Sequence, residues 1–189
     1  MDYKSIRRFV PENAAKEIPP GNPACPVNGR DVYRALAPHK TIVMACNIRI
    51  PLVLPGIMRA AKELDAVVAF ELAKSEGDLK GGYTGMTPEI FVRTIVAAAK
   101  RAEFDTPFVI HGDHITVNNT SEAEVEGALA LIAAELAAGY TSFAIDASFN
   151  EIPDNARITA SLAGPIAERK LGLEVEVGEI KSVGTEAHL

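Results

Sequence analysis

The sequence has no tryptophan, two cysteines and four histidines among 189 residues, and aromatic residues make up only 6% of it. With so few cysteines and no Cys-x-x-Cys, there is no disulfide framework, so Cys25 in a Pro-rich loop and Cys46 in an apolar run are expected as reduced thiols. No stretch approaches the ~20 apolar residues of a membrane span, and the opening "MDYKSIRRFVPENAAKEIPP" has no apolar signal core. Blocks of one charge are also missing. Net charge is -6 with both signs interspersed, which argues against a nucleic-acid surface. These absences predict a cytoplasmic, soluble protein with neither nucleic acid nor membrane as a partner. What is present is a 48% hydrophobic content, enough for one domain with a substantial core.

Residues 1–28 carry five prolines and the turn-like clusters "IPPGNP" and "CPVNG", and are expected to form an arm lying on a body rather than part of a sheet. The body, 29–189, begins with a short helix from Asn28 to Ala37, stopped by Pro38. Apolar, β-branched runs then alternate with segments of helical spacing. Strands are expected at 41–47, 66–73, 107–113, 141–148 and 173–180. Helices are expected at 54–65, at 87–102 with Thr87 as N-cap and Pro88 in the first turn, and at 121–138 with Gly139 as C-terminal cap. A further helix runs through "NARITASLAGPIAERKLG", where Pro165 is expected to kink or divide it.

Buried strands alternating with helices require a parallel sheet with right-handed crossovers, as an open doubly wound sheet or a (β/α) barrel. The fifth run alternates, with Glu174 and Glu176 on one face and Val175 and Val177 on the other. Two carboxylates aimed into a sheet interior are costly unless they end in a polar site such as a barrel mouth. A full barrel usually takes about 250 residues and eight strands, so the two folds stay open on this ground.

The densest chemical signal is "TPFVIHGDHITV". His111 and Asp113 share a face of the third strand, and His114 follows where the strand is expected to become loop, so all three gather at its C-terminal end. Ligand sites of parallel α/β proteins lie at that end. Histidine there suits a transition metal, with a neighbouring carboxylate as acid/base or as support for the ligand. A bland alternative makes one histidine a satisfied core side chain and Asp113 a helix cap. Glu174 and Glu176, two strands on, favour the functional alternative. Lys74, Lys80 and Lys181 are expected to be solvated, and "GDLKGGYTGM" after the second strand reads equally as a lid or phosphate loop and as a flexible connection.

Five segments in order, "MACN", "HGDH", "FAIDAS", "PDNARIT" and "EVEVGEI", resemble motifs of the class II, metal-dependent fructose-bisphosphate/tagatose-bisphosphate aldolases, over about residues 28–180. The resemblance implies an α/β fold of the (β/α) TIM-barrel type, partial here with about five strands, behind an N-terminal arm. It implies a lyase of carbohydrate metabolism that cleaves or forms a phosphorylated ketose through a metal-stabilised enediolate. It makes His114 a ligand of the divalent metal, usually Zn2+, with Glu176 as a second carboxylate near the ion, and Asp113 the carrier of the proton at the substrate hydroxyl. Asn47, Asp146 and Ser148 are implied as substrate-contacting residues, with His111 and Glu174 supporting them from behind. Glu186 is the acidic candidate for the catalytic loop after the fifth strand, and further metal ligands and phosphate loops are expected beyond Leu189.

A non-catalytic or truncated member of the superfamily, and a metal-dependent aldolase or epimerase for another sugar, are the competing readings. Five strands of a barrel leave two sheet edges open, which predicts a homodimer or higher oligomer.

Overall fold

In a computed structural model, residues 3–178 are described. Five strands form one sheet in the order β1-β2-β3-β4-β5, every neighbouring pair parallel. They are β1 (Met44–Asn47), β2 (Val68–Ala73), β3 (Phe108–Thr116), β4 (Ser142–Asp146) and β5 (Gly172–Glu176). The helices are α1 (Glu12–Ala15), α2 (Gly29–Leu36), α3 (Leu54–Glu63), α4 (Pro88–Arg101), α5 (Glu122–Ala138) and α6 (Ile152–Glu168). A doubly wound sheet reverses its strand order at a switch point, whereas sequential parallel order with a helix after each strand is an arc of a (β/α) barrel.

Strand parity explains which face is which. Phe70, Leu72, Phe108, Ile110, Phe143 and Ile145 point outward and share one core with Leu54, Met58, Ile95, Leu131, Ile158 and Leu162 of the surrounding helices. Phe70 lies edge-on to Phe108, with ring centroids 5.4 Å apart. The residues between them, Ala45, Ala69, Glu71, His111 and Asp113, face a cavity of about 630 Å³ on the inner side. The lower end of that side is covered by α2, whose Gly29 N–H donates to Thr141 O and whose Tyr33 hydroxyl lies 3.3 Å from Ser142 Oγ.

Helix termini follow their local chemistry. Asn28, Thr87 and Ser121 each accept a backbone N–H at the start of α2, α4 and α5, and Gly139 ends α5 at φ 100°. Pro165 does not divide its helix: α6 runs unbroken through it from Ile152. The carbonyl that loses its partner belongs to Ser161, an exposed residue, so the lost bond is on the solvent side of the helix.

Residues 3–28 contribute no strand to the sheet and meet it at an isolated bridge, Pro26 to Phe108, in which Val27 N–H donates to Phe108 O at 2.8 Å and Phe108 N–H to Cys25 O at 3.1 Å. Two further expectations need correction. β1 begins at Met44 instead of 41 and is not buried: Ile42 and Met44 are exposed because nothing described pairs with its outer edge. β5 ends at Glu176, with Leu173, Val175 and Val177 exposed. Cys25 and Cys46 are free thiols, as expected. Among the described residues no helix is long and apolar enough to cross a membrane.

Candidate active site

Regular alternation along β3 would send His114 outward, away from Asp113. It does not, because the strand carries a bulge. The pairing of β3 with β4 shifts between Gly112 and Ile115, and His114 sits at φ 41°, a left-handed conformation uncommon outside glycine. Before the bulge the even residues Phe108 and Ile110 reach the outer core; after it the odd residues Ile115 and Val117 do. The extra residue therefore leaves Asp113 and His114 both on the inner side, and the strand runs on to Thr116 where a loop was expected.

The bulge brings His114 to the ends of the two next strands. Its Nδ1 lies 3.0 Å from Glu176 Oε1 and 3.5 Å from Asp146 Oδ2, and its Nε2 lies 3.8 Å from Asp113 Oδ1. Burial disfavours the imidazolium, but the carboxylates of Asp113, Glu176 and Asp146 outweigh it and hold the His114 pKa above its ordinary value. Burial and the charge of Asp146 raise Glu176. Asp146 is lowered despite its burial, since Ser148 donates to its Oδ1 through both its hydroxyl, at 2.6 Å, and its backbone N–H, at 3.0 Å. Ser148, expected at the substrate, is thus engaged in holding Asp146. Asp113 is raised, first by burial and then by Glu174 and Glu76.

Beneath this group, Glu71 lies opposite His111 in the β2–β3 register. Burial first, then Asp113, Glu174 and Glu76, pushes Glu71 up to about 7, and burial pushes His111 down to about 4. Glu174, on β5, approaches His111 Nε2 to 3.8 Å. Donor atoms of His114, Asp146 and Glu176 all lie within 4.8 Å of one another, as do those of Glu71, His111 and Asp113. One imidazole and two carboxylates suit a divalent first-row metal, so the upper trio fits the divalent cation that the motif resemblance implies.

Asn47 lies opposite Glu71 in the β1–β2 register and is fixed differently. Its Nδ2 donates to Glu76, whose side chain is 4% exposed and also accepts from the Ala73 N–H, Arg49 Nε and the Tyr83 hydroxyl. These bonds hold Glu76 below its ordinary pKa against the cost of burial. With Nδ2 committed, Asn47 Oδ1 is left buried without a donor. The Gly-rich segment is not a loose connection: Asp78 Oδ1 accepts from the N–H groups of Lys80 and Gly82, and the Thr84 hydroxyl donates to Glu76 O at 2.6 Å.

Sequence patterns do not point to Glu76, Arg49 and Tyr83, because their relation exists only once β1 and β2 are side by side. Removing the hub as Glu76→Ala is expected to lower stability by about 2–3 kcal/mol, through the donors left unpaired. Urea unfolding checks this; a loss under about 0.5 kcal/mol would mean water replaces the carboxylate at no cost. Lys74 is tied down too, donating to Thr116 O at 2.6 Å. Glu186, Lys181 and His188 lie outside the described residues.

Comparison with known proteins agrees with this architecture. Residues 27–188 match the profile described as fructose-bisphosphate aldolase class-II. The chain is 31% identical over 145 residues to a fructose-bisphosphate aldolase of Giardia intestinalis, covering 77% of this chain and 39% of that protein. It is 28% identical over 122 residues to the D-tagatose-1,6-bisphosphate aldolase subunit GatZ of Escherichia coli O1:K1, covering 62% and 29%. Thus it spans two fifths or less of the length of these relatives. Among solved structures, the YdjI aldolase of Escherichia coli K12 superposes with a TM-score of 0.62 at 19% identity, covering 82% of this chain and 53% of that one. A probable tagatose 6 phosphate kinase from Sinorhizobium meliloti 1021 gives the same TM-score at 27% identity, covering 74% and 40%. A profile match over most of its length, on a parallel barrel arc with the motif residues gathered at the strand ends, establishes that the chain belongs to the class-II fructose-bisphosphate aldolase family.

Proposed function

We propose that the chain carries the metal- and proton-handling wall of an aldolase centre that cleaves or forms a phosphorylated ketose, fructose 1,6-bisphosphate or tagatose 1,6-bisphosphate, in the cytoplasm. The observation that supports it most is the β3 bulge, which sets Asp113 and His114 side by side, with Asp146 and Glu176 around the imidazole. His114, Asp146 and Glu176 would hold the divalent cation, Zn2+ by choice of donors. When bound, that cation supplies Lewis-acid stabilisation of the negative charge that develops on substrate oxygens. Ser148 fixes the Asp146 carboxylate so that a lone pair faces His114 and the cation position. Asp113, raised by burial and with no side-chain donor committed to it among the described residues, takes the proton of the substrate hydroxyl during cleavage and returns it to the aldehyde oxygen in condensation. Asn47, whose Nδ2 is committed to Glu76 and whose buried Oδ1 has no donor among the described residues, is the remaining candidate for a substrate contact.

The test is turnover of both bisphosphates by the full chain. Release of triose phosphate, lost on chelation and restored by Zn2+, is the expected result; metal-independent turnover would overturn the reading.

A second reading follows from the similarity to a protein named as an aldolase subunit. Here the chain acts as a partner of a catalytic subunit. Asp113→Asn would then leave the partner's activity unchanged, whereas the first reading requires loss.

The open edges carry their own expectation. Ile42, Met44 and Leu52 beside β1, and Val175 and Val177 beside β5, are exposed apolar groups next to strand edges that no described strand pairs with. Self-association to a mass above the 20.1 kDa monomer is expected in sedimentation velocity, weakened by Met44→Lys with Val175→Lys. A monodisperse monomer would count against it.

A further inference from the structure

The inner wall holds a second group of donors below the one just described. We propose that Glu71, His111 and Asp113 form a separate binding site for a divalent first-row transition cation. The site needs neither Asp146 nor Glu176 but shares Asp113 with the proposed reaction, so a cation held there occupies the proton carrier and is inhibitory.

Parallel register builds the site. Glu71 pairs with His111 and Ala73 with Asp113, so the three donor side chains and the small Ala73 share the inner face of two adjacent strands. Ala45 and Ala69 line the same cavity and leave room beside the donors. A ring nitrogen of His111 lies within 4.8 Å of carboxylate oxygens of both Glu71 and Asp113.

The second observation is the state of the His111 ring. Its side chain is only 5% exposed, its Nδ1 is sealed without a partner, and its Nε2 reaches Glu174 only at 3.8 Å, beyond hydrogen-bond range. A buried imidazole with neither nitrogen hydrogen-bonded among the described residues is costly unless something else engages it. The cavity wall is predominantly acidic, with His114 as the group that offsets part of the charge of Glu71 and Asp113. It contains Glu71, Asp113 and Glu174, and no lysine or arginine among the described lining residues. Burial keeps His111 neutral, which is the form that ligates metal. Two carboxylates and one neutral imidazole favour Mn2+, Co2+ or Zn2+ over the all-oxygen preference of Mg2+.

The experiment is a titration of the full, chelator-treated chain with Mn2+, following free ion by electron paramagnetic resonance. Two equivalents are expected to bind. Glu71→Gln should weaken one of them at least about tenfold and spare the other, whereas His114→Ala should do the reverse. His111→Gln, checked for folding by circular dichroism, serves as the second variant and should behave like Glu71→Gln. If Glu71→Gln and His111→Gln bind Mn2+ as the wild type does, the site is refuted. It is equally refuted if the wild type binds one equivalent that His114→Ala abolishes. Loss in His114→Ala alone reports on the upper group, so the two assignments fail separately.

Discussion

Asp113→Asn is expected to lower the turnover of phosphorylated ketose by about 100- to 10,000-fold, the usual contribution of a positioned acid or base, with little change in KM. Asparagine has nearly the same shape as aspartate and cannot accept the proton. The fold should not notice. The Asp113 side chain is 21% exposed and receives no side-chain donor among the described residues, while its backbone carbonyl, which accepts from Lys74 N–H, is unchanged. The carboxylate is also held in an unfavourable place, raised by burial and by Glu174 and Glu76, so neutralising it should leave stability equal or slightly higher. Lost activity with undiminished stability therefore separates a chemical role from a structural one. A kcat within about threefold of wild type would remove Asp113 from the reaction, because proton transfer is worth far more than that.

The second large effect concerns Glu135, on the opposite side of the same strand. It occupies the buried stripe of α5 with Ala128, Leu131 and Ile132, is 2% exposed, and has Oε2 without a partner. Its carboxyl lies against Gly112, where an added Cβ would come within 2.6 Å of Oε2. Burial raises its pKa from 4.5 to about 8. Between those values the folded chain holds a proton that the unfolded chain has released, so stability is highest below about pH 4.5 and falls as pH rises toward 8. At about 1.4 kcal/mol for each pH unit the loss reaches up to ~5 kcal/mol.

Glu135→Gln keeps the shape and cannot ionise. Its urea midpoint should depend less on pH between 5 and 8 than that of the wild type, and at pH 8 it should be the more stable protein. Glu71, raised to about 7, adds a slope of the same sign to both proteins, so the difference between the two curves isolates Glu135. Parallel curves would show that water reaches the carboxylate in the native state.

These two residues show how differently parts of the molecule could be read beforehand. Asp113 stands in a motif whose spacing and strand-end position already suggested chemistry. Glu135 also had a sequence signal: it falls seven residues after Ala128 and three after Ile132, inside an apolar helical stripe. A carboxylate on the buried side of a helix is a warning, but only packing against the side-chain-free Gly112 explains how it fits.

The alternation of strands and helices, the caps at Asn28, Thr87, Ser121 and Gly139, and the gathering of polar groups at the C-terminal strand ends were determined by the sequence, because periodicity and capping are local properties. Tertiary structure alone decided the rest. The bulge that turns His114 inward depends on the pairing of β3 with β4, and the Asn47–Glu76–Arg49 network on contacts across two loops. Such features have no local code: a one-residue change of register reverses which face a side chain occupies, and the register is set by a neighbouring strand distant in sequence.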